Sequence, residues 1–248
     1  MVYWMKVRPR LLIRHLSVDS SSIHTLYNTY MNTYLQIFLL SFSIAIPAII
    51  GLVRYKKMDP AYHPFIWICC ALTLNETIRY ILIQNKVYSF TSYNIALPIV
   101  CLLYIYQFKT WGLFRHRAKL PLIVAGVMLA IWVADHFLIN GNQIEIRTYY
   151  FRVCYSFLLV LMSVSTINHL IVSEKKNLLI NPKFLICICL MVYYTYRILV
   201  DAFSLNNMSE AFLRQLGDFN RYLLIGLNLI FALAALWIPR KKNFTLQF

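Results

Sequence analysis

Seven apolar runs follow one another along this chain, near residues 34–54, 64–84, 93–113, 120–140, 149–172, 183–204 and 217–239. Each is close to the ~20 residues with which an α-helix crosses the hydrocarbon core of a bilayer. The runs are continuous rather than alternating, so they read as helices and not as barrel strands. The expected fold class is therefore all-α, a membrane-spanning bundle of about seven transmembrane helices. Composition points the same way. With 60% hydrophobic and 13% charged residues, the 248-residue chain has too little charge to cover a water-facing surface.

The basic residues orient the bundle. Arg54, Lys56 and Lys57 follow the first run, and Lys109, Arg115, Arg117 and Lys119 the third. Lys175, Lys176 and Lys183 follow the fifth, and Arg240, Lys241 and Lys242 the seventh. The alternate connections carry Lys86, Arg147 and Arg214, so thirteen basic residues face three. Under the positive-inside rule this asymmetry places the C-terminus in the cytoplasm and the N-terminus outside. It also accounts for the net charge of +15. Basic loops of this kind meet anionic headgroups, and no nucleic-acid partner is expected.

Three parts are expected: a flexible segment 1–33, a transmembrane domain 34–239 and a basic cytoplasmic tail 240–248. Lys6, Arg8, Arg10 and Arg14 break the charge pattern, and the stretch lacks the apolar core of a signal peptide. Met31 is a cleaner start, with a short interfacial helix before it as the alternative.

Eight charges stand in or at the edges of the runs: Glu76, Arg79, Asp135, Arg152, Arg197, Asp201, Asp218 and Arg221. Each costs roughly 2.5–3.5 kcal/mol at the membrane centre, and less near the interface. Counting a rise of about 1.5 Å per residue from the cytoplasmic end places all of them in the outer half. Glu76 and Arg79, Arg197 and Asp201, and Asp218 and Arg221 are three or four apart, so each pair is able to meet on one helix face. Asn75 is positioned to share the Arg79 guanidinium. Two readings stand side by side. Arg152, Asp218 and Arg221 lie in first turns and read as structural or interfacial residues that snorkel to water. The deeper set of Asn75, Glu76, Arg79, Asp135, Arg197 and Asp201, with Tyr193, reads either as structural ion pairs or as the wall of an outward-facing ligand cavity.

Tyrosines accompany the charges: Tyr193, Tyr194 and Tyr196 before Arg197, Tyr104 and Tyr106 before Gln107, and Tyr149, Tyr150 and Tyr155 around Arg152. The outermost suit an aromatic belt, and the deeper ones need hydrogen-bond partners within the bundle. Asp135 and His136 are adjacent and point about 100° apart on a helix, so they form no dyad, and His136 is expected to snorkel. His169 stands at the opposite membrane face. The six cysteines all lie in apolar runs and suit packing rather than disulfides or metal.

No lysine interrupts the last run, which excludes a retinal Schiff base. HExxH, Walker, GxGxxG and GxSxG patterns are also missing from the sequence. No catalytic set, metal or cofactor is expected. The segments Tyr55-Lys56-Lys57-Met58-Asp59-Pro60 and Gln107-Phe108-Lys109-Thr110-Trp111-Gly112 resemble those of an uncharacterised bacterial multi-pass membrane protein family. The resemblance extends over the first half of the chain and implies a multi-pass protein of the bacterial inner membrane, with no activity attached.

The expected function is a non-enzymatic sensor or regulatory module that binds a small polar or zwitterionic ligand, or a partner helix, with the bilayer and a membrane or cytoplasmic signalling partner around it. A small-solute transporter is one alternative, with Pro98 as a candidate helix break. The other is a lipid-modifying enzyme using Glu76 or Asp201 as general acid or base, and direct pairing with arginine opposes it.

Overall fold

A computed structural model describes residue 35 and residues 38–85, 90–115, 117–139, 148–173, 178–205 and 209–240. The N-terminal segment with Met31, the basic residues Lys86, Arg147, Lys175 and Lys176, and residues 241–248 lie outside the described residues.

All seven expected runs are helical. They are α1 (Phe38–Arg54), α2 (His63–Gln84), α3 (Phe90–Thr110), α4 (Leu120–Val133), α5 (Tyr149–Ser173), α6 (Pro182–Leu205) and α7 (Glu210–Trp237). Among the described residues there is no strand, only an isolated antiparallel bridge between Met58 and Arg240. Five helices are long and apolar enough to cross a membrane: α2, α4, α5, α6 and α7. Helix α1 is shorter, and α3 is diluted by Asn94, Gln107 and its tyrosines. The surface is that of a chain meant for lipid. Val172 is 87% exposed and Leu138 81%, with Leu122 and Val53 close behind. Exposed apolar area on this scale marks a membrane-facing surface.

Local chemistry sets the helix ends. Asp59 Oδ1 accepts the Ala61 N–H at 2.9 Å, and Pro60 opens a 3-10 turn that leads into α2. Asn181 Oδ1 accepts the Lys183 N–H at 2.9 Å and starts α6 at Pro182. Helix α3 closes in a Schellman arrangement. The Leu113 N–H reaches Phe108 O and the Gly112 N–H reaches Lys109 O, with Gly112 at φ 87°. Pro98, the expected break, sits inside a continuous α3. Helix α4 ends in a π-helical turn, Ala134–Ile139.

Each helix packs on the next, and α7 returns to α1, closing a ring. Cross-helix bonds show that neighbours run in opposite directions. Gln107 Nε2, late in α3, donates to Ala61 O, just before α2, at 2.8 Å. Trp132 Nε1, late in α4, donates to Asn94 O, early in α3, at 3.1 Å. Tyr196 Oη, in the second half of α6, donates to Leu216 O, early in α7, at 2.6 Å.

One end of the ring gathers the start of α2 and the ends of α1, α3 and α7, and it is tightly tied. The Arg54 guanidinium donates to the carbonyls of Ala235, Leu236 and Ile238, which are orphan acceptors at the C-terminus of α7. The Asp59 N–H donates to Pro239 O at 3.0 Å. Gly51 lets α1 approach α2 so closely that a Cβ there would lie 2.2 Å from Ile66 Cδ1 and under 3 Å from both Cγ atoms. Ile66 is fully buried and has nowhere to retreat.

Candidate functional site

The opposite end of the ring, where α2 and α6 finish and α3, α5 and α7 begin, collects the buried charge. Arg152 is in the first turn of α5. The start of that helix is fixed by Asp135, which reaches across from the π-helical turn and accepts the Phe151 N–H at 2.8 Å. An acid at a helix N-terminus satisfies an orphan donor and complements the dipole. The π-helical turn carries Asp135 and buries His136 as well, whose ring stacks on Trp132 at 5.5 Å.

Arg152 Nη2 donates to both oxygens of Asp201 on α6, at 2.6 and 2.7 Å. Arg197, one turn before Asp201, approaches the same carboxylate through Nε at 3.8 Å. The Arg152 guanidinium also lies over the rings of Tyr93 and Tyr149, at 5.7 and 5.8 Å. These cation–π contacts replace part of its hydration. Arg152 is 1% exposed and Asp201 fully enclosed. A buried pair of this kind survives only when its partners are well placed, and here two tyrosine faces and a second guanidinium surround it.

Next to this cluster lies an interhelical cavity of about 120 Å³ with walls from α1, α2, α3, α5, α6 and α7. Helix α4 contributes nothing to it. Most of the wall is apolar, supplied by residues such as Leu97, Val100, Leu190 and Leu227. Its polar groups include Asn75 and Glu76 from α2, Arg152 from α5 and Tyr193 and Arg197 from α6. Two of these carry a buried atom with no hydrogen-bond partner among the described residues: Nη1 of Arg152 and Oδ1 of Asn75. Below them, Tyr155 and Tyr194 share a 2.9 Å hydrogen bond between their hydroxyls, and the Tyr104 ring packs against both.

The expected candidates thus separate. Asn75, Glu76, Tyr193 and Arg197 come together on one cavity wall system, and Asp201 stands behind it holding the arginines. Arg79 is not on that wall. Its Nη1 holds the Glu76 carboxylate at 2.8 and 2.9 Å and leaves Asn75 alone. Asp135 caps α5 instead of facing the cavity. Asp218 and Arg221 pair at 2.9 Å within α7, half exposed and partly exposed respectively, and away from the cavity.

Two expectations are corrected. Arg152 does not snorkel to water but turns inward, because Asp201 on the neighbouring helix offers it a counter-charge and the tyrosine faces offer it cover. His136 does not snorkel either, because Trp132 provides a flat apolar surface within the bundle. The Arg152–Asp201 contact spans 49 positions, and helical spacing gives no sign of it. Tyr93 was missed for the same reason. The one available signal was a single arginine opening an otherwise apolar run beside three tyrosines.

All six cysteines are free, and among the described residues no group of three His, Cys, Asp or Glu side chains is placed to hold a metal. No protein-family model, curated protein or solved structure matches the chain. The site is therefore interpreted from its own chemistry.

Proposed function

We propose that the chain is a multi-pass protein of the plasma membrane, with seven spans, its N-terminus outside and its C-terminus in the cytoplasm, and that it serves as a non-enzymatic sensor or regulatory module. In this reading α1 and α3 cross the bilayer with the five more apolar helices, since the ring closes only with all seven. The tied end, with Arg54, Lys109, Arg115, Arg117, Lys119 and Lys183 in or beside its connections, faces the cytoplasm. The cavity then opens on the outer half and receives a small polar or zwitterionic ligand.

One observation carries the ligand-binding reading. The cavity wall holds two buried polar atoms, Arg152 Nη1 and Asn75 Oδ1, without partners among the described residues. Orphaned polar groups of this kind are costly in a low-dielectric interior unless something meets them, and a ligand does so. The two acids once considered for catalysis, Glu76 and Asp201, are both gripped by arginines, an arrangement suited to holding charge rather than moving protons. A binding role needs a partner for output, because the described connections on the basic side are short.

Thermal unfolding of the detergent-purified protein against a library of small polar and zwitterionic metabolites tests this. At least one compound is expected to raise Tm. Glu76→Gln and Arg197→Gln are expected to insert and elute as wild type but to lose the response. A library without effect on wild type, or variants that respond undiminished, would overturn the reading.

A further inference from the structure

The cavity's polar groups are unevenly distributed, and the imbalance specifies a ligand. On one side, Arg152 and Arg197 share a single carboxylate, Asp201, so this group of three carries one excess positive charge. Asp135 lies close enough to Arg152 to feel its charge, but it accepts the Phe151 N–H and stands off the cavity wall, so it does not answer Arg152 from the cavity side. Both bonds from Arg152 to Asp201 leave from Nη2, and Nη1 is buried with no acceptor among the described residues. On α2, Asn75 presents the opposite need. Its Oδ1 is an acceptor without a donor among the described residues, and the next residue, Glu76, also lines the cavity with its carboxylate already held by Arg79. The rest of the wall is mostly apolar, with Leu97, Val100, Leu227 and Phe231 among its residues.

We infer that the cavity accepts a zwitterion of the α-amino-acid type with an apolar side chain. The inference rests on the ligand-binding reading above and deepens it. The ligand carboxylate takes the free Nη1 of Arg152 and the Arg197 guanidinium, as a charge-assisted bond that offsets the excess positive charge. The ammonium donates to Asn75 Oδ1 and faces Glu76. The side chain lies against the leucines and Phe231. Size agrees with this assignment. A cavity of about 120 Å³ is well above the roughly 10–15 Å³ that one water requires and below the 300–1,000 Å³ of drug-sized pockets. A molecule of leucine's size falls between them.

Three isosteric probes separate the two poles and the two sources of a carboxylate: leucine, 4-methylpentanoate, which keeps the acid but lacks the ammonium and represents membrane-derived acids, and 3-methylbutylamine, which keeps only the cation. Binding is measured by Tm shift and by competition with labelled leucine on the intact protein in detergent. Leucine is expected to bind, 4-methylpentanoate at least about tenfold more weakly, and the amine not at all. Asn75→Leu is expected to erase leucine's advantage over the acid. Should that variant fail to fold, Arg197→Gln, which leaves the Arg152–Asp201 pair in place, is expected to weaken leucine and the acid together by about tenfold or more. An acid that binds as well as leucine, or an amine that binds at all comparably, overturns the zwitterion assignment. If other library compounds stabilise the protein and none of the three does, this inference falls while the binding reading stands. If nothing in the library acts, both fall.

Discussion

The two ends of this helical ring solve the same problem in opposite ways. At the tied end, polar groups are spent on the backbone: Arg54 on the last carbonyls of α7, Gln107 and Thr110 on Ala61 O, and the Asp59 N–H on Pro239 O. The helices there approach closely, as Gly51 against Ile66 shows. At the other end, polar groups face one another across an interior cavity. Buried atoms without partners among the described residues occur at both ends, as with Gln107 Oε1 and Trp111 Nε1 at the tied one, but here two of them, Arg152 Nη1 and Asn75 Oδ1, belong to residues that line the same cavity. A bundle built for stability alone would resemble the first end throughout. Buried ion pairs are weak stabilisers because desolvation consumes most of their attraction. Their concentration at one end, beside a cavity, is what a binding role requires and what packing does not.

Experiments that unbalance this contrast are ordered by expected size. The largest effect belongs to the buried pair. Asp201→Ala leaves two guanidinium groups without their shared carboxylate and is expected to cost about 3–5 kcal/mol, read as loss of folded yield and a lower Tm, with Arg152→Ala costing less because Arg197 stays beside Asp201. The triple substitution Arg152→Met, Arg197→Met and Asp201→Leu, which removes all three charges, is expected to recover much of that loss, while binding stays abolished. Full stability in either single variant would mean that the pair is not buried as described. Next comes the tied end. Gly51→Val drives methyl groups into Ile66 and is expected to cost about 1–3 kcal/mol with ligand affinity unchanged in whatever protein folds. Smaller again is Tyr155→Phe, which removes the hydroxyl bonded to Tyr194 on the cavity wall, at an expected 0.5–1.5 kcal/mol, about what one net hydrogen bond contributes. The smallest effect is expected from Asp218→Asn, which breaks an exposed pair within α7. Its expected cost is under about 1 kcal/mol with no change in binding. A larger loss there than at Arg152 would invert the comparison.

Helix positions were legible in the sequence because apolar runs of membrane length encode them locally. The pairs Glu76–Arg79 and Asp218–Arg221 were legible for the same reason, being single-turn neighbours. Arg197 and Asp201 were expected to pair, yet the closer partner of Asp201 is Arg152 on another helix, and nothing in residue spacing encodes which helices become neighbours in the ring. Asp135 was grouped with the cavity by depth alone. The π-helical turn that swings it onto the start of α5 is a tertiary feature that no local pattern announced. Depth in the membrane follows from counting residues, whereas the facing direction of a side chain does not.

The central claim is that the charged cavity opens to the exterior while the tied end faces the cytoplasm. It is tested most directly by thiol labelling in intact cells with a membrane-impermeant, anionic methanethiosulfonate, against a control carrying only the native cysteines. Tyr193→Cys, on the cavity wall, is expected to react from outside and to be protected by leucine, whereas Lys119→Cys, between α3 and α4, is expected to react only after permeabilisation. Labelling of Lys119→Cys from outside, with Tyr193→Cys silent until the cells are opened, would contradict the account.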